Sequence, residues 1–284
     1  MPTPPKAKRV DVESEIHGDV RVDPYQWLQN REDPEVISYL EAENAYTEEL
    51  TKPQIDLREE LYKEMVARIV EDDETVPVFR DGFSYYSRTI RGKQYRVFCR
   101  KRSTPDADEE VILDGNVESE GLDFFRLGAM RPSPDHCQLA YTVDVDGSEQ
   151  FELRVKDLAS GDLAEDRVPR IAPSFEWAED GETLYYVVLD EAMRPFSIRR
   201  HRLGTELSED EEVFSEPDER FFVRIRKTRC RRFLQISVES KVTTEVRLVD
   251  ARDPKATPRL VTERENGHEY YVEPSGDSLL ILSN

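Results

Sequence analysis

Two periodicities divide the chain. Over the first seventy-odd residues apolar side chains recur at helical steps; from Val76 onward they alternate, or run in short blocks bounded by polar turns, as strands do. Asp33-Pro34-Glu35 is a helix start: Asp caps, Pro fits the first helical position, and the acid complements the macrodipole. It predicts a helix over Pro34 to Leu50. A second helix is predicted from Pro53 to about Val70, with Leu57, Leu61, Met65 and Ile69 four residues apart and Tyr62 and Val66 beside them. Each helix carries an apolar stripe that needs a surface to dock on. Before them, Asp23-Pro24-Tyr25-Gln26-Trp27-Leu28 reads as a turn anchored by aromatic rings.

The strand region repeats. The runs opening at or near Phe83, Leu139, Leu184, Phe233 and Leu279 follow one another at about 45 to 56 residues. A second set beginning at Tyr95, Phe151, Phe196 and Glu245 starts 12 residues after each of the first four markers. Several short strands in a repeat of this length are the mark of β-propeller blades, which bury their faces by stacking on their neighbours. A single irregular β-sandwich accounts less well for the constant offset. The expected fold is mainly β: an α-helical amino-terminal segment, residues 1–74, followed by an incomplete β-propeller over 75–284. The blades are expected at 76–122, 123–170, 171–217 and 218–264, with the start of a fifth at 265–284. A ring so left open would expose strand edges, so the expectation is that this is part of a larger protein.

Composition narrows the function. The 284 residues carry 61 acidic and 40 basic side chains, a formal charge of −21, which argues against a phosphate-reading surface and hence against nucleic acid as partner. Charged residues make up 36%, against roughly 25% in an average domain, so the surface is heavily charged. No apolar run approaches the roughly 18 residues of a membrane span. Cys99, Cys137 and Cys230 are odd in number and widely spaced, which suits a reducing compartment. The start, Met1 to Val10, shows basic residues without an apolar region behind them, and the expected location is the cytoplasm.

Candidate chemistry is sparse. His17, His136, His201 and His268 are scattered, and only His136-Cys137 is adjacent, a spacing at which both side chains cannot readily meet one ion. No metal site is expected, and His17 is read as structural. The acidic runs Glu71-Asp72-Asp73-Glu74 and Glu209-Asp210-Glu211-Glu212 lack the alternating oxygens and Gly of a Ca²⁺ loop and are expected to be solvated loops. A serine nucleophile on an α/β-hydrolase needs Gly-x-Ser-x-Gly at a strand-to-helix turn. Gly82-Phe83-Ser84-Tyr85-Tyr86 comes nearest, lacks the second Gly, and sits on a predicted strand. No catalytic, cofactor-binding or metal-binding residue is assigned.

Several segments nevertheless resemble one family. His17-Gly18-Asp19-Val20-Arg21-Val22-Asp23-Pro24-Tyr25-Gln26-Trp27-Leu28 and Pro34 to Thr47 resemble the amino-terminal signature of the prolyl oligopeptidase family of serine peptidases. Gly92 to Tyr95, Leu153 to Leu158, Arg200-His201-Arg202-Leu203-Gly204-Thr205, Glu216 to Phe221 and Gly267 to Tyr271 resemble that family's propeller in the same order, with most likeness to the branch that cuts after Lys or Arg. The resemblance implies a seven-bladed propeller that limits peptide access to an α/β-hydrolase domain, onto which residues 1–74 would wrap. It implies that Ser, Asp and His lie outside this sequence and that no cofactor is needed. The substrate would be short basic peptides, whose approach the acidity of the chain would favour. A post-proline-cutting relative and a stand-alone propeller that binds a protein are the alternatives. Departures are small: Gln29-Asn30 follows Trp27-Leu28, and Thr228-Arg229-Cys230-Arg231-Arg232 replaces an expected Gly-containing turn, Cys230 lacking glycine's access to positive φ.

Overall fold

The computed structural model describes residues 2–104 and 106–284, so Met1 and Pro105 lie outside the described residues. It divides into two compact units, the first ending at Glu71 and the second running from Asp72 to Asn284.

The first unit opens with an antiparallel hairpin, β1 (Val12–Ile16) and β2 (Asp19–Asp23). Its two-residue turn is His17 at φ 54° and Gly18 at φ 80°, the left-handed pair that matches the twist of a tight hairpin. Helical periodicity does not reveal this hairpin, although Val12, Ile16, Val20 and Val22 flank the turn. Trp27 follows in a short 3₁₀ turn and is held by its Nε1, which donates to the Lys8 carbonyl at 3.0 Å.

Helix α1 (Pro34–Thr51) begins as the sequence predicts, with the Asp33 carboxylate accepting from the Glu35 amide at 2.8 Å. Helix α2 (Ile55–Ala67) is shorter than predicted at both ends. Pro53 lies inside a 3₁₀ turn over Lys52–Gln54, and the Arg68 and Ile69 amides bond to Met65 and Val66, tightening the last turn and leaving Ile69 and Val70 outside the helix. The stripe of α2 is open: Leu57, Leu61 and Met65 are 56%, 46% and 59% exposed.

The second unit is a series of antiparallel meanders. The first sheet is β3 (Val78–Arg80), β4 (Phe83–Arg88), β5 (Val97–Arg102) and β6 (Glu110–Asp114), followed by a single helical turn, α3 (Gly115–Glu118). Next come β7 (Arg126–Pro132), β8 (Gln138–Asp144), β9 (Phe151–Asp157), β10 (Leu163–Trp177), β11 (Thr183–Leu189), β12 (Pro195–Arg202) and β13 (Glu211–Ser215). These seven strands are hydrogen-bonded in one continuous sheet, because the 15-residue β10 serves two meanders, pairing β9 through its first half and β11 through its second. The register shifts on both sides of Pro169-Arg170, where Arg170 has φ 57°, so the strand bends from the second blade into the third.

The fourth blade is β14 (Phe222–Lys227), β15 (Phe233–Glu239), β16 (Thr244–Asp250) and β17 (Arg259–Leu260). A hairpin of β18 (Tyr270–Ser275) and β19 (Ser278–Ser283) begins a fifth. The sequence markers thus fall on the second strand of each blade and the followers on the third or its approach. In β8, β11 and β15 they pair as Leu139↔Lys156, Leu184↔His201 and Phe233↔Asp250.

Stacking explains the apolar runs. Along β11, Leu184 and Tyr186 pack with Ala140, Leu153 and Trp177, whereas Tyr185 and Val187 pack with Val223, Ile225 and Ile236 of the next blade. Adjacent residues therefore feed opposite interfaces, and a strand buried on both faces reads as continuously apolar. The first strands of successive blades stand side by side. Gly128 of β7 lies so close to Pro173 that a Cβ would sit 2.8 Å from that ring's Cβ, Ser174 Oγ donates to the Ile225 carbonyl at 3.1 Å, and Arg226 donates to the Val272 carbonyl at 2.9 Å.

Candidate functional site

The Ser84 hydroxyl lies on β4, on a strand as the sequence predicts. Among the described residues it lies 3.4 Å from the Ser103 hydroxyl and meets no imidazole that could deprotonate it. Gly82 stands at φ 84° in the β3–β4 turn rather than before a helix. His17 is a turn residue of the β1–β2 hairpin, at φ 54°.

His201 is the histidine with the most developed surroundings. Its Nδ1 lies 2.7 Å from Asp210 Oδ1 and its Nε2 lies 3.0 Å from Asp166 Oδ1, while the Tyr186 hydroxyl donates to Asp210 Oδ2 at 2.7 Å. The Gly204 amide donates to Asp166 at 2.6 Å, closing the cluster. Burial pushes the His201 pKa down, but the hydrogen bonds and charges of Asp210 and Asp166 outweigh it and raise the value. For Asp166 burial acts upward and is outweighed by the Gly204 amide and His201, which lower it. Burial and the bond to Asp210 push the Tyr186 hydroxyl strongly upward. An imidazole clamped between two carboxylates holds its proton rather than accepting one, and among the described residues its ring nitrogens meet Asp210 and Asp166, not a serine or cysteine. The cluster therefore ties β10, β12 and the segment ahead of β13 together.

This overturns one expectation. Glu209-Asp210-Glu211-Glu212 is not a solvated loop: Asp210 is 6% exposed and carries the cluster, Glu211 pairs with Arg200, and Glu212 accepts from Ser197 at 3.3 Å. In the other run Asp72 accepts from the Arg91 amide at 2.7 Å, and that contact holds its carboxyl below the usual range. Among the described residues no three His, Cys, Asp or Glu side chains are grouped to hold a metal ion. No helix among them is long and apolar enough to cross a membrane.

The turns joining the first two strands of each blade hold a second set of polar groups. His136, Gly181 and Arg231 occupy the same place in the turns of the second, third and fourth blades, at φ 62°, 71° and 58°. Glycine accepts that conformation freely, whereas a side chain there costs about 1 kcal/mol or more. The sequence points to Cys230 as the difficult position; the structure puts the left-handed residue one place later, at Arg231. His136 is 6% exposed, with Nδ1 2.6 Å from the Tyr85 hydroxyl, Nε2 3.3 Å from Asp81 Oδ2, and its ring stacked on Phe83. Arg231 also donates to Asp81 Oδ2. At His268, Nε2 meets the Ser283 hydroxyl at 2.8 Å and pins β18 to β19.

At the other end of the strands, the segment entering β14, the β15–β16 turn and the residues after β17 line a half-open cavity of about 710 Å³. Phe222, Arg224, Lys241 and Val242 line it, and Arg264 lies over the Phe221 ring at 3.8 Å. The exposed positions of β14 are Phe222, Arg224 and Arg226, the last paired with Glu273 at 3.1 Å. No local spacing announces these groupings, because Asp166, Asp210, Asp81 and Arg231 come from separate blades or turns.

Comparison with known proteins follows this architecture. The family model described as Prolyl oligopeptidase, N-terminal beta-propeller domain, matches residues 4–284. Protease 2 of Moraxella lacunata is 40% identical over 287 residues, covering 99% of this chain and 42% of that protein. Dipeptidyl aminopeptidase BI of Pseudoxanthomonas mexicana is 37% identical, with the same coverage of each. Oligopeptidase B from Leishmania major superposes with a TM-score of 0.92 at 31% identity, over 99% of this chain and 43% of that one. The chain spans about two fifths of the length of these relatives.

Proposed function

Because this chain belongs to the prolyl oligopeptidase family and forms its amino-terminal propeller region, we propose that it is the access-limiting part of a serine endopeptidase that hydrolyses short peptides after Lys or Arg. In this reading the nucleophile and its Asp and His are supplied by an α/β-hydrolase domain outside these residues, no cofactor is used, and the protein works in the cytoplasm. Residues 1–74 would belong with that domain and residues 75–284 with the propeller.

The observation that carries the proposal is the 40% identity to Protease 2 along almost the whole chain, together with the closer likeness to oligopeptidase B than to a prolyl endopeptidase structure at 25% identity and a TM-score of 0.78. The open stripe of Leu57, Leu61 and Met65 supports the docking role of the amino-terminal segment, since exposed apolar side chains grouped on one face mark an interaction surface. The charge of −21 supports a preference for cationic peptides through long-range attraction, which raises encounter rates at low salt.

The test is reconstitution. The chain alone is expected to release no chromophore from an arginyl peptide amide, and co-expression with the α/β-hydrolase part is expected to restore cleavage, faster at low salt. Cleavage after proline in the restored enzyme would replace the Lys/Arg reading, and activity of the chain alone would remove the division of labour.

A further inference from the structure

Asp81 lies in the first blade and Arg231 in the fourth, 150 residues apart, yet the Arg231 Nη1 donates to Asp81 Oδ2. The same oxygen stands 3.3 Å from His136 Nε2 in the second blade, and Arg80 Nε lies 3.9 Å from it. Turns of three blades thus meet on one carboxylate. We propose that this group is an ionic latch across the blade ends at which the first and second strands are joined.

The geometry supports a latch rather than a chance surface pair. Blades one and four are not neighbours: the second and third stand between them, and their first strands adjoin in series through Gly128 against Pro173 and Ser174 with Ile225. A bond between the first and fourth must therefore reach across the end of the series. Both residues that reach Asp81 from the other turns hold left-handed backbone, where the third blade uses Gly181. Strained positions of this kind persist where the surroundings over-determine them. Here the surroundings are the carboxylate, the Phe83 ring stacked on His136, and the Tyr85 hydroxyl bound to its other nitrogen.

The latch is built to open. Arg231 and Asp81 side chains are 39% and 40% exposed, so salt screens the pair, and a partly solvated ion pair is readily exchanged. His136, 5% exposed at its side chain, stays packed on the first blade when Arg231 leaves. Arg80 remains near Asp81 and compensates its charge. Opening thus frees the fourth blade's turn and leaves the first and second joined. That this end admits peptides rests on the function proposed above; the latch itself does not.

Two native thiols report on it. Cys137 follows His136 and Cys230 precedes Arg231, both exposed, whereas Cys99 is buried. Spin labels on Cys137 and Cys230 of the full chain are expected to give a narrow distance distribution at low salt. It should lengthen and broaden in 1 M NaCl, and at low salt in Arg231→Ala and Asp81→Asn, while Arg232→Ala, whose guanidinium lies over Phe233, leaves it unchanged. A distribution that ignores both salt and Arg231→Ala overturns the latch. The salt titration uses the unaltered chain, so a variant that fails to fold does not decide the matter. The readout needs no peptidase activity, so it can fail while the proposed function stands, and the reverse.

Discussion

The Nδ1 of His201 and the Oδ1 of Asp210 lie 2.7 Å apart, and each side chain is 1% exposed. Breaking a buried, hydrogen-bonded ion pair by removing one partner leaves the other uncompensated, which costs about 3–5 kcal/mol. In a urea titration near pH 6, His201→Gln is therefore expected to lower the unfolding free energy of the second unit by that amount. A loss below about 1 kcal/mol would mean that Asp166 and Asp210 relax to water.

The same pair sets a pH dependence. His201 binds its proton more tightly in the folded chain, so its contribution is complete below the unfolded value near 6.5 and is lost as pH rises through the raised folded value. Melting temperature should therefore fall from neutral to alkaline pH more steeply in the parent chain than in His201→Gln. Parallel profiles would show that the imidazole is neutral when folded. Asp166 acts in the opposite range: with its value lowered, its contribution holds above about 3.8 and is lost as pH falls through the folded value.

Gly128 is fixed by space rather than by backbone angle. A Cβ there would meet Thr142 Oγ1 at 2.5 Å, Pro173 Cβ at 2.8 Å and Phe151 Cδ1 at 2.9 Å. Gly128→Ala should destabilise by about 1–3 kcal/mol, the usual cost of overpacking a filled interface. Calorimetry that finds the variant as stable as the parent would show that the second and third blades can separate by the missing fraction of an ångström.

Thiol reactivity should divide two to one. Burial pushes the Cys99 thiol up to about 11, and no solvent reaches it. Cys137 and Cys230 are exposed. At pH 8 an aromatic disulfide reagent is expected to modify two thiols of the folded chain and the third only after unfolding. Three equivalents at one rate would place Cys99 in a part that opens freely.

The stripe on α2 gives a separable prediction. Leu61→Glu and Met65→Glu replace exposed side chains and should change the stability of the chain by no more than about 0.5 kcal/mol. Both should abolish recovery of arginyl-peptide cleavage on co-expression with the α/β-hydrolase part. Unimpaired recovery would show that this face does not dock there.

Local pairing is written in the order of the residues. Blade spacing, the capped start of α1 at Asp33 and the second and third strands of each blade are all legible there, because alternation, turn residues and caps act over a few positions. The β1–β2 hairpin is harder to see, since a single His17-Gly18 turn carries its signal. Helical spacing also carries α2 past Ala67, because it does not reveal where the last turn tightens. The polar sites came from packing alone. Asp210 reads as one acid in a charged run, and only stacking the third blade's strands buries it against His201; Asp81 and Arg231 become partners only when four blades curve round one axis. Periodicity is a property of neighbours along the chain, whereas the pairing of charges 35 or 150 residues apart depends on the desolvation and geometry that packing creates.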